Sequence, residues 1–129
     1  MIKEDFVNYE TAKLLKEKGF DGECETSYYI SNEGCENAVS VGDFTKVRPW
    51  REALIAAPTH QMAMKWLREV HGLSVETFSI KGTSNICPVF WKSNVVKLLT
   101  QDRAFNGELV NSYEEAVEAA LKYSLENLI

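Results

Sequence analysis

A chain of 129 residues is the length of one ordinary domain, and domains of that size bury roughly two thirds of their unfolded surface without help from disulfides or metals. Hydrophobic residues at 45% and charged residues at 26% exclude disorder and collagen-like repeats. Fourteen basic against nineteen acidic residues leave a formal net charge of −5, which argues against general nucleic-acid binding unless positive charge gathers on one face.

No apolar run approaches the roughly 20 residues of a membrane span, and residues 1–6 lack the apolar core of a signal peptide. The expectation is a single cytoplasmic domain, 1–129, with no membrane partner. Cys24, Cys35 and Cys87 are an odd number and widely spaced, so at least one thiol is unpaired, and a reducing compartment keeps all three reduced.

In chain order, the first helix is predicted over 8–18. Asn8 is a good N-cap, Gly19 supplies the left-handed terminator, and Phe20 folds back on Leu15. Its inner stripe is Thr11, Ala12, Leu14 and Leu15. Residues 24–30 are rich in strand formers, 31–34 read as a turn, and 35–41 as a weaker return strand. The stretch 42–57 shows no sustained period and reads as a loop with a short strand at its end.

The clearest helix follows Pro58, opening at Thr59 and ending at Gly72. Met62, Ala63, Trp66, Leu67 and Val70 fall on one predicted core stripe. Residues 75–80 read as a strand, 81–85 as a turn, and 86–91 as a further strand that lies at an edge or begins at Val89, since Pro88 cannot donate to a ladder. Residues 95–99 fit either a third strand or one helical turn. The last helix opens on a capping box, with Ser112 serving a first-turn N–H and Glu115 reaching back to the cap's own N–H. Tyr113, Ala116, Val117, Ala120, Leu121, Ser124 and Leu128 form its inner stripe, with Glu114, Glu118, Lys122 and Glu126 facing water. The order α-β-β-α-β-β-(β)-α predicts an α+β fold, three helices packed on a small antiparallel sheet.

The stretches 6–15, 55–69 and 112–129 together resemble a group of small uncharacterised proteins carried by prophages and mobile elements of gut bacteria. The resemblance covers about half the chain and rests on helix-forming residues. It implies a shared scaffold and a bacterial or phage cytoplasm, and it carries no catalytic residue across because the group has no assigned activity.

Signatures of chemistry are sparse. Neither Cys-x-x-Cys nor His-x-x-x-His occurs, and His60 and His71, about 16 Å apart along the helix, cannot share one ion. No metal or cofactor is expected, and no catalytic residue is assigned. A cysteine paired in space with a histidine is the enzyme alternative, without a local signature. Glycines open no phosphate-binding pattern. Lys46, Arg48, Trp50 and Arg51 form the one basic-aromatic cluster, a candidate for binding a partner or stacking a single-stranded base. The plainer reading is a tryptophan lid over a core edge, flanked by solvated arginines.

Between 86 and 99 the apolar residues fall on both parities, so a strand built from them is hydrophobic on both faces. Either the 42–57 loop covers the second face or another copy does. The expectation is a homodimer that buries Phe90 or Trp91 at its interface, and the function that emerges is a small non-enzymatic binding or accessory protein with an unidentified protein partner.

Overall fold

The computed structural model describes residues 4–22, 24, 27–30, 36–39, 54–82, 86 and 89–129. The fold is α+β, and the described residues form three helices and small antiparallel three-stranded sheets, in the order expected from the sequence. It divides into two compact units, Met1–Thr59 and His60–Ile129.

In the first unit, helix α1 (Tyr9–Glu17) is specified at both ends by local chemistry. Asn8 accepts a hydrogen bond from the Thr11 N–H at 2.9 Å, satisfying one donor of the first turn. At the other end Phe20 N–H donates to Leu15 O (2.9 Å) and Gly19 N–H to Lys16 O (3.2 Å), the paired bonds of a Schellman ending. Gly19 sits at φ 92°, where a side chain would be strained. Thr11, Ala12 and Leu15 are buried as predicted, and α1 packs on a short strand.

That strand, β3 (Leu54–Ala56), is one edge of an antiparallel sheet ordered β2-β1-β3, with β1 at Ser27–Ile30 and β2 at Glu36–Val39. Ser27 stands opposite Val39 on one side and Ala56 on the other. Val7, whose N–H donates to Pro58 O at 3.0 Å, and Ile55 and Ala57 join α1 in the core of this unit.

In the second unit, α2 (His60–His71) ends at Gly72, φ 65°, and the chain turns directly into β4 (Leu73–Lys81). Strand β5 (Val89–Lys97) returns along the whole of β4, from Lys81 opposite Val89 to Leu73 opposite Lys97. It begins at Val89, the first position free of the Pro88 constraint. A third strand, β6 (Arg103–Asn106), pairs with β5 through a bulge between Val95 and Val96, giving the order β4-β5-β6. This corrects the placement of a third strand or helical turn at 95–99. Val95 to Lys97 belong to β5, and Leu98 to Thr100 form the turn, where Leu99 is 99% exposed.

Strand β6 has no apolar alternation of its own and exists because it pairs with β5. Gly107 follows it, its N–H donating to Ser93 O at 2.9 Å. A Cβ on Gly107 would come within 2.6 Å of that same carbonyl oxygen.

Helix α3 (Tyr113–Tyr123) continues as a π-helical turn, Ser124–Leu128. Ser112 Oγ accepts from Glu115 N–H at 3.2 Å as the capping box requires. The reciprocal bond differs by one residue. Glu115 Oε2 accepts from Asn111 N–H (3.4 Å), one position before the cap.

The α3 stripe of Ala116, Val117, Ala120 and Leu121, extended by Ser124 and Leu125, is buried, and the helix packs on β4 and β5. Trp91 of β5 meets Tyr113 edge to face at 5.5 Å between ring centroids, and Phe105 of β6 stacks on Tyr123 at 4.5 Å. The faces of the sheet follow. Odd-numbered residues of β5, Trp91, Ser93 and Val95, lie under α3, and even-numbered ones point away.

Helix α2 is rotated from its predicted orientation. Its buried residues are His60, Ala63, Met64 and Leu67, while Met62 and Val70 are exposed and Trp66 is only half-buried. Both stripes have helical spacing, and the structure takes the one in which Met64 is buried and His60 points inward, where its ring meets Glu118.

Leu121→Ala removes a side chain with no solvent exposure, and the expected cost is about 2–5 kcal/mol by chemical denaturation. Val70→Ala, at a position 60% exposed, is expected to change stability by less than about 0.5 kcal/mol. Equal effects would contradict this orientation of α2.

Candidate functional site

Two features of the second unit carry polar chemistry away from ordinary solvated surface. The first is a hydrogen bond between helices. His60 Nε2 donates to Glu118 Oε1 at 2.8 Å, with side chains 6% and 18% exposed. Glu118 stands one turn before Lys122 on what the sequence pattern reads as the water-facing side of α3, and the structure corrects that placement. The carboxylate turns toward the first residue of α2 and ties the two helices together. An imidazole oriented by a carboxylate is the geometry by which histidines are held for proton transfer or metal binding. Among the described residues, however, no group of three His, Cys, Asp or Glu side chains could hold a metal ion.

The other histidine is spent structurally. His71 packs edge to face on Trp66 at 4.7 Å, and its Nε2 is buried without a hydrogen-bond partner. Cys24 is half-buried, its Sγ 3.5 Å from Gly22 O, and desolvation raises its pKa above the ordinary thiol value. A raised pKa keeps the thiol protonated at neutral pH, the opposite of what a nucleophilic cysteine needs. Cys35 and Cys87 lie outside the described residues.

The second feature is the sheet face turned away from α3. Cross-strand pairs share a face, so the register sets its rows. Ile80 stands beside Phe90, Phe78 beside Lys92, Glu76 beside Asn94, Asn94 in turn beside Asn106, and Ser74 beside Val96. Phe78 is 39% exposed, Glu76 and Asn106 are exposed, and Ile80, Phe90, Lys92 and Val96 are half-buried. At the centre Asn94 is only 6% exposed, and its Oδ1 is buried with no hydrogen-bond partner. On the α3 side the adjacent Ser93 is also buried, but its hydroxyl meets Thr77 Oγ1 at 2.7 Å. Neighbouring polar residues on opposite faces of one strand therefore differ, one satisfied and one not.

Of the residues singled out in the sequence, Phe90 and Trp91 lie on opposite faces of β5, so they do not form one patch. Trp91 is occupied by Tyr113, and Phe90 belongs to the face described above. Lys46, Arg48, Trp50 and Arg51 lie outside the described residues, as do residues 42–53 of the 42–57 loop. His60, Glu118, Phe78 and Asn94 were not legible as site residues, because each depends on a helix rotation or a strand register.

Among the described residues no helix is long and apolar enough to cross a membrane. No family model, curated protein or solved structure matches the chain.

A double-mutant cycle on His60→Ala and Glu118→Ala is expected to give a coupling of about 0.5–3 kcal/mol, because each single change already removes the hydrogen bond that the double change removes. Strictly additive effects on the unfolding free energy would show that the hydrogen bond does not tie the helices.

Proposed function

We propose that this chain is a small non-enzymatic binding protein that works through the sheet face opposite α3. One observation carries the reading. A sheet face with an exposed phenylalanine on its edge strand β4, apolar neighbours on both strands and a buried, unsatisfied carboxamide oxygen on its middle strand is costly to leave in water. Such a face gains from a partner that covers Phe78 and brings hydrogen-bonding groups to Asn94. Hot-spot surfaces have this composition, an aromatic anchor amid a few placed polar groups.

The enzyme alternative is less well supported. It has a histidine oriented by Glu118, but Cys24 is held in its protonated form. The resemblance to proteins of prophages and mobile elements fits an accessory role in a bacterial cytoplasm, where binding another macromolecule is the whole activity.

A photoreactive amino acid at position 78, with the same group at exposed position 114 on α3 as control, tests the reading in the native host. Covalent adducts to a protein, either another copy or a different chain, are expected from position 78 and not from 114. An absence of adducts at 78 would contradict a binding role for this face.

A further inference from the structure

Resting on that reading, we infer that the occupant of the face is a second copy of the chain, related by a two-fold axis that passes over Asn94 and Phe78. The register supplies the geometry. Glu76 pairs with Asn94 in one row and Phe78 with Lys92 in the next, so these four residues are the corners of one cell of the sheet. Its sides are about 4.8 Å across the strands and about 6.8 Å along them. One diagonal joins the carboxylate to the ammonium, Glu76 to Lys92. The other joins Asn94 to Phe78.

A two-fold axis lying between two facing sheets, along the Asn94–Phe78 diagonal, carries each end of the other diagonal to within about 3 Å of the opposite end, a gap that long side chains span. Glu76 of each copy then faces Lys92 of the other, giving two opposite-charge contacts from one carboxylate and one ammonium per chain. Any residue on the axis meets its own counterpart. Phe78 packs on Phe78, an aromatic pair at the centre of the interface. Asn94 meets Asn94, and a carboxamide is self-complementary, with an acceptor and donors that pair reciprocally with those of an identical group. Across the axis the Asn94 Oδ1, without a partner among the described residues, gains a donor.

A single buried asparagine that pairs across a two-fold axis fixes register and oligomeric state in other assemblies. The diagonal lies at about 35° to the strands, so the two sheets cross at about 70°, nearer the orthogonal than the aligned class of sheet packing.

No single feature of the face requires a second copy, since an exposed phenylalanine accepts many partners. Charge complementarity decides it. A partner with a uniformly acidic or basic surface would meet one like charge on this face, whereas the chain's own face supplies both opposite charges at the required positions.

The test uses two full-length variants, Glu76→Lys and Lys92→Glu, and sedimentation equilibrium. Wild-type protein is expected to be dimeric at tens of micromolar. Each variant alone places two like-charge pairs in the interface and is expected to dissociate at least tenfold more readily. Mixing the two restores both opposite-charge contacts, so a heterodimer is expected to form with affinity near that of the wild type. Its recovery also shows that each variant folds.

A wild-type chain that is monomeric at 100 µM, variants that dimerise as well as the wild type, or a mixture that stays monomeric would each overturn the proposal. If position 78 captures a different protein while the chain itself stays monomeric, the binding reading stands and self-association falls.

Discussion

Strand β5 is the constraint on which the second unit depends. It is the middle of three strands, and the consecutive residues Ser93, Asn94 and Val95 are all buried, although alternate residues point to opposite faces. One face is accounted for. Val95 lies under α3 with Trp91 and Phe105, whose rings pack on Tyr113 and Tyr123, and Ser93 closes its hydrogen bond with Thr77. Gly107 belongs to the same set of requirements, because its N–H reaches Ser93 O and any side chain there would collide with that oxygen. The opposite face places a carboxamide where nothing among the described residues satisfies the oxygen.

Buried polar groups are normally paired, since an unpaired one loses its hydration without replacement. In a small unit with little stability to spare, an orphan at the centre of the main sheet is costly unless it has a use. The His60–Glu118 bond differs. It too is a polar contact in a mostly apolar setting, but it is satisfied, and it links α2 to α3. The satisfied pair links two helices, and the unsatisfied carboxamide oxygen lies on the face proposed for binding.

How much of this the sequence carries depends on the distance over which each feature is determined. The ends of α1 and α3 were legible because capping is local, with Asn8, Gly19, Phe20 and Ser112 acting within a few residues of their own positions. The β4–β5 pair was legible as two strands, and Pro88 marked the start of the second. Strand β6 was not, because Arg103-Ala104-Phe105-Asn106 has neither length nor alternation and is a strand only by virtue of its neighbour. The rotation of α2 was misread for a related reason. Met62 and Val70 fit an apolar stripe as well as His60 and Met64 do, and the contacts that distinguish them, such as that of His60 with Glu118, 58 residues away in the chain, are not local. The candidate site lies further still beyond local signals, since Phe78, Asn94, Glu76 and Lys92 become neighbours only once the register is fixed.

The pairing of Asn94 and Phe78 with their own counterparts is tested most directly by isotope-filtered NOE spectroscopy on an equimolar mixture of ¹³C,¹⁵N-labelled and unlabelled chains. Cross-peaks between the Phe78 ring protons of one copy and those of the other, together with contacts from the Asn94 side-chain amide across the same axis, are the expected result. A filtered spectrum with no cross-peak at residue 78 or 94, from a sample concentrated enough to be dimeric, would contradict the two-fold arrangement.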